Sequence, residues 1–336
     1  MRTRLFLSAV TVSGVTLAAC GGDDGETVTI YSGRTENLIQ PILDDFSDET
    51  GIDVEVRYGG SADLALLIEE EAAAGDAKAD VFLSQSPGSI ELLDQNGRLG
   101  ELPASTLDLV PDNLRDTDGR WIGFSGRQRV LVYNQDLVDP AELPTSVFEL
   151  TEPRWQGRIG LAPGNGSFQD FVTAMRATEG DDAVAEWLSG LNDNGAESYP
   201  NNNAIVAAVG RGEVDAGLVN HYYNFRFLAE DGSHPGRNHL FDTDDPGAVL
   251  IITGAGVVEG TDKPDEAAQL IEFLLGSSGQ QYFAEETFEY PLANGEQPAG
   301  DVPVVEFGEI GAIDYDQLGG GLEGTRTLIT DAGFEG

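Results

Sequence analysis

One cysteine, Cys20, stands in 336 residues, so no intrachain disulfide is possible, and its place near the start keeps thiol chemistry out of the body of the chain. Basic residues are also scarce: 18 Lys and Arg face 59 Asp and Glu, a formal charge of −41. Phosphate backbones need basic surface, which excludes nucleic acid as a partner. An acid excess of this size reads first as a solvated surface suited to a salty medium, and only second as a site for a particular cation. The three histidines, His221, His234 and His239, crowd into one short stretch. No Gly-x-Ser-x-Gly elbow, His-Glu-x-x-His pair or paired-cysteine motif accompanies them, so an enzyme is not expected. Asp116-Thr117-Asp118-Gly119 opens like a calcium loop but lacks the bidentate glutamate at the required spacing, and reads as a turn. Repeats and low-complexity blocks are absent as well.

What is present begins with Arg2 and Arg4, an apolar run from Leu5 to Leu17, and Leu17-Ala18-Ala19-Cys20. A basic start, an apolar stretch too short to span a bilayer and small residues at a cleavage point predict a signal peptide over 1–19. The Leu-Ala-Ala-Cys ending resembles a bacterial lipobox, which implies that Cys20 is lipidated and becomes the mature N-terminus, with 20–26 as a polar tether. The remaining length and a hydrophobic content of 40% suit about two domains. Strands are predicted at Thr27–Tyr31, Ile52–Tyr58, Ala79–Leu83, Arg127–Asn134, Arg158–Leu161 and Ala248–Val258. Apolar residues at helical spacing, such as Leu38, Ile39, Ile42, Leu43 and Phe46, alternate with them. That alternation predicts an α/β chain with a parallel-rich sheet.

The most chemically pointed stretch is Asn220-His221-Tyr222-Tyr223, after the short apolar run that ends at Val219. At a helix start two adjacent phenols sit about 100° apart and can converge on one point, and open α/β sheets place ligands at the carboxyl ends of strands. The same tyrosines would serve equally as core or interface aromatics. Pro163-Gly164-Asn165-Gly166-Ser167 joins a strand to a helix from Phe168; its amides would suit an anion, and it would also serve as a plain turn. Asn201-Asn202-Asn203 reads first as a helix cap.

Taken in order, these segments resemble the bacterial ferric-ion-binding proteins of iron ABC importers. The resemblance rests on Val28-Thr29-Ile30-Tyr31-Ser32-Gly33, Ala79-Asp80-Val81-Phe82, Ser125 to Tyr133, Trp155 to Gly160, Gly212 to Ala216, Asn220 to Tyr223, Asp245 to Ala248 and Glu289 to Leu292. It implies an α/β, two-lobed periplasmic-binding-protein fold of type II with hinge strands between the lobes. The N-lobe would comprise 27–126 plus 251–300, and the C-lobe 127–250 plus 301–336. It further implies one transported Fe(III) with a synergistic anion, carbonate or phosphate, and a monomer that serves an ABC permease and touches the membrane only through its lipid anchor, on the outer face. The family's phenolates carry to Tyr222 and Tyr223, and its anion site to Asn165, Gly166, Ser167, Asn202, Asn220 and Ser86. Arg127 and Arg129 would supply longer-range compensation. Hard Fe³⁺ prefers anionic oxygen, which gives the phenolates a physical reason. The chain departs from the family where a first-lobe histidine is usual: Thr35 and Glu36 stand there, making Glu36 a candidate ligand. An acidic ligand of one subclass falls on Gln85, and a third tyrosine of another on Phe168. The competing expectation is a small anion or organic solute in the same fold.

Overall fold

The structure is a computed structural model that describes residues 27–305 and 313–334. The expected signal peptide, Cys20 and the tether lie outside the described residues. Among those described, no helix is long and apolar enough to cross a membrane.

In the first half, strands β1 (Thr27–Ser32), β2 (Asp53–Tyr58) and β3 (Val81–Ser84) alternate with helices α1 (Glu36–Thr50), α2 (Ser61–Ala74) and α3 (Pro87–Gln95). β1 lies between β2 and β3, parallel to both. The predicted stripe of α1 is the face it buries, and Gly51 at φ 76° closes the helix with its N–H on the Ser47 carbonyl. A short α4 (Ala104–Leu107) precedes β4 (Trp121–Asn134), fourteen residues with one partly exposed position.

β4 ties the molecule together. Trp121–Gln128 pairs antiparallel with β9 (Leu250–Val257), and Arg129–Tyr133 pairs with β7 (Ala216–Asn220). Beyond it come β5 (Ile159–Leu161), α5 (Gly166–Glu179), α6 (Asp181–Asp193), β6 (Glu197–Ser198) and α7 (Asn202–Arg211). After β7 follow α8 (His221–Glu230), β8 (Gly236–His239), β9, α9 (Pro264–Leu275), α10 (Ser277–Glu285), β10 (Tyr290–Pro291) and α11 (Leu322–Asp331). The sheet runs β2-β1-β3-β9-β4-β7-β5-β6, with β8 and β10 also paired to β4.

The parallel pairs expected from strand–helix alternation occur at both ends of this order, whereas its centre is antiparallel. The cause is connectivity: the chain leaves the first half along β4 and returns along β9, so the two crossing strands run in opposite directions. Trp121–Phe124 and Arg127–Asn134, separate in the sequence reading, are one strand because β9 supports it across Ser125-Gly126, with a register shift at Gly123/Ser125.

A large apolar core spans the sheet and its helices, and a second cluster lies under the far half of β4. That second cluster, which includes Val130, Val132, Ile205, Val206 and Val219, has Tyr223 packed against it. Beside Phe124 and Phe283 of the large core, Arg34 and Glu289 form a fully buried ion pair at 2.5 Å. Arg34 Nη1 also donates to Ser125 Oγ at 3.3 Å and Thr253 Oγ1 at 3.4 Å. Burial alone would raise the Glu289 carboxyl, but Arg34 holds it below the usual carboxylate range.

Candidate metal and anion site

A polar cavity of about 300 Å³ opens where strand ends from both halves meet. The first half walls it with Gly33 after β1, Gly60 to Asp63 at the start of α2, and Gln85 and Ser86 after β3. The second half contributes Gly164 to Ser167 after β5, and Asn220, Tyr222 and Tyr223 after β7. All are carboxyl-end turns, where parallel strands leave backbone and short side chains facing a crevice. Gly33 is needed for closeness, since a Cβ there would collide with Ser61 Oγ. That hydroxyl accepts the Gln85 N–H at 3.0 Å.

Tyr222 and Tyr223 occupy the first turn of α8, the helix-start arrangement in which neighbouring side chains can converge. Their rings stack with centroids 4.2 Å apart and planes 27° from parallel. Tyr222 is 2% exposed, and burial, followed by the neighbouring Tyr223 and Glu289, pushes its phenol far up. His221 faces away from the cavity: its Nδ1 accepts the Gln128 N–H at 3.1 Å, and its ring stacks on Tyr290 at 4.5 Å. Burial lowers its pKa to about 4, which keeps the imidazole neutral.

The asparagines form a connected set. Asn165 caps α5, its Oδ1 accepting from Ser167 N at 3.1 Å and Ser167 Oγ at 2.7 Å. Asn202 Nδ2 donates to Ser167 Oγ at 3.1 Å and Asn165 Oδ1 at 3.3 Å, so it supports the cavity wall from behind. The capping role expected for the asparagine run falls to Asn201, which accepts from Ala204 N. Asn220 Oδ1 accepts from Arg129 Nη1 at 3.0 Å, while its buried Nδ2 has no partner among the described residues. With Ser167 N already capped, Gly166 N–H is the amide of this first turn left for a ligand, and a Cβ there would meet open space.

The two arginines differ in role. Arg127 lines the cavity, with Nη1 on Thr253 Oγ1 at 2.8 Å and Nη2 on the Gln85 carbonyl, bridging β4 to the first half. Arg129 is wholly buried behind Asn220, against the faces of Phe168 and Phe171 at 5.5 and 5.1 Å. Desolvation lowers its pKa to about 9, which leaves it charged at neutral pH. Phe168, where one subclass has a tyrosine, is therefore the surface on which Arg129 rests.

Glu36 is not brought to the cavity. Arg34 turns inward to Glu289, and α1 then starts with Glu36 exposed in a separate depression beside Thr35, Gln40 and Asp44. Asp170, one turn along α5 from Gly166, and Arg326 on α11 are among the lining residues that the sequence did not single out. The i, i+3 spacing of Ser167 and Asp170 put both on one helix face and was the available signal for the first. Nothing local pointed to the second. Asp170 accepts from Ser86 Oγ at 2.6 Å, a contact that joins the two halves across the cavity. Burial raises its pKa to about 6, while the Ser86 bond, Arg127 and Arg129 oppose the shift.

Two α/β bodies on crossing strands, with a polar cavity between them at strand carboxyl ends, define a two-lobed binding protein of type II. Residues 76–318 match the family model for bacterial extracellular solute-binding proteins. The chain is 32% identical to the Fe(3+)-binding periplasmic protein of Serratia marcescens, over 94% of this chain and 92% of that one. It is 33% identical to the major ferric iron-binding protein of Neisseria meningitidis, covering 87% and 86%. The structure of iron-bound HitA from Pseudomonas aeruginosa superposes with a TM-score of 0.85 at 34% identity, covering 92% of this chain and all of that one. The chain belongs to the ferric-ion-binding branch of the bacterial extracellular solute-binding proteins.

Proposed function

We propose that this protein takes up one ferric ion between its lobes, together with a small anion, and delivers it to an ABC permease. The observation that carries the reading is the pair of stacked phenols at the start of α8, facing a cavity with Arg127 and the free amide of Asn220. Without metal, burial keeps the proton on the Tyr222 phenol. Fe³⁺ replaces the phenol protons, because a trivalent charge at bonding distance favours phenolate far more than burial disfavours it. Two phenolates leave one positive charge and open coordination positions. Carbonate or phosphate would answer both, with outer oxygens on Gly166 N–H and Asn220 Nδ2, and on Ser167 Oγ once its proton turns from Asn165 Oδ1 to the anion. Arg127 would balance the added charge. The bodies that close over the ion are proposed to be 27–126 with 251–300, and 127–250 with 301–336. The role is capture and release, with no covalent chemistry.

The test is a visible-band titration with ferric iron for the parent, Tyr222→Phe and Tyr223→Phe, with and without added carbonate or phosphate. Each Phe variant should lose affinity by more than the roughly 10–100-fold that losing an outer-shell partner costs, and its phenolate-to-iron colour should weaken. Unchanged colour and affinity in both variants would sink the reading in favour of an organic solute or anion that the rings merely stack against. Equal parent affinity with and without the anion would remove the anion from it. We further propose that Cys20 carries the lipid anchor, from the Leu17-Ala18-Ala19-Cys20 ending; Cys20→Ala should move the protein from the membrane to the soluble fraction.

A further inference from the structure

Among the described residues, the only carboxylates lining the cavity are Asp63 and Asp170, and Asp63 is exposed at its mouth. Asp170 is 9% exposed and takes part in no ion pair among the described residues. The cations around it are engaged elsewhere: Arg127 with Thr253 and Gln85, Arg129 with Asn220 Oδ1, and Arg326 Nε with Gln169 Oε1 at 3.1 Å. Its Oδ1 is fixed by Ser86 from the opposite wall, and its Oδ2 has no hydrogen-bond partner among the described residues. A carboxylate held rigidly, out of bulk water and without a paired cation is costly unless something positive joins it.

We propose that Asp170 is a third anionic oxygen ligand of the bound metal, supplied by the second lobe through Oδ2 while Ser86 holds Oδ1. This rests on the ferric reading of the same cavity. Two phenolates and one carboxylate neutralise Fe³⁺, and carboxylate oxygen is as hard a donor as phenolate. Among the described residues the first half offers no buried equivalent, since Glu36 lies outside the cavity, Gln85 is an amide and Asp63 is exposed at the mouth. Ser86 then has a defined part: it orients a ligand across the closing cleft, as outer-shell partners of metal ligands do.

The experiment compares ferric affinity, by competition with a soluble chelator, and the energy of the phenolate-to-iron band in the full-length parent, Asp170→Asn, Ser86→Ala, Tyr222→Phe and Tyr223→Phe. Asparagine keeps the shape of aspartate, so folding is retained. Replacing an anionic donor with a neutral amide makes the iron a better electron acceptor. Asp170→Asn should therefore lose roughly tenfold or more in affinity and move the band to longer wavelength. Ser86→Ala should lose less and leave the band in place. If Asp170→Asn keeps parental affinity and colour while Tyr222→Phe loses both, the inference is overturned and the ferric reading stands. If Asp170→Asn weakens binding only as much as Ser86→Ala with the band unmoved, Asp170 merely pins the lobes and the inference is again overturned. If Tyr222→Phe and Tyr223→Phe both keep parental colour and affinity, it is the ferric reading that fails.

Discussion

Two adjacent tyrosines are held in different ways. Tyr222 is buried against Tyr223 and the neighbourhood of Glu289, whereas Tyr223 is partly exposed and packs on the valine-rich cluster under β4. One phenol is thus placed by desolvated surroundings and the other by an apolar shelf. The pairing itself was legible, because adjacency at a helix start is a local property. Glu36 shows the opposite case. Its candidacy came from its place in the chain after β1, but that turn is governed by Arg34, which buries its guanidinium on a partner 255 residues away and leaves the next turn facing water. Glu36→Gln is accordingly expected to leave ferric affinity within about twofold of the parent in the same chelator competition, as for an exposed charge outside the site. A loss comparable to that of Tyr222→Phe would put Glu36 back among the ligands.

At the scale of elements, most helices and strands were readable from apolar period and from glycine or asparagine at their ends. The exceptions were set by neighbours: β4 is continuous because β9 and β10 hydrogen-bond across its Ser125-Gly126 break. The Asp116 to Gly119 turn also acquires company that the sequence did not reveal. Asp116 has carboxylate oxygen within 4.8 Å of Glu91 on α3 and Asp316. Glu91 accepts from Trp121 Nε1 at 3.1 Å, and burial pushes its pKa up to about 7, against those hydrogen bonds and with help from Asp316 and Asp94. A carboxyl whose folded pKa lies above its unfolded value favours folding while protonated and loses that contribution as pH rises through the folded value. Between about pH 4.5 and 7 the parent should therefore lose stability relative to Glu91→Gln, by about 2–3 kcal/mol at the upper end. Urea denaturation of both proteins at several pH values, with a chelator to exclude bound cations, measures this. Parallel pH profiles would show that the burial of Glu91 is not what sets the difference.

For the whole molecule, the charge of −41 on a 336-residue chain means that folding gathers like charges. Screening should relieve that repulsion, so the melting temperature is expected to rise by several degrees as sodium chloride goes from roughly 0.01 M, where the Debye length is about 30 Å, to 1 M, where it is about 3 Å. A flat or falling dependence would mean that favourable ion pairs outweigh the repulsion. The acidity, the absence of disulfides, the strand–helix alternation and the phenol pair follow from composition and short-range pattern, which need no knowledge of what meets what. The antiparallel centre of the sheet, the inward turn of Arg34, the exposure of Glu36 and the entry of Asp170 and Arg326 into the cavity came only from the folded structure. Each depends on residues far apart in the chain being brought to one point, and a local pattern carries no information about such meetings.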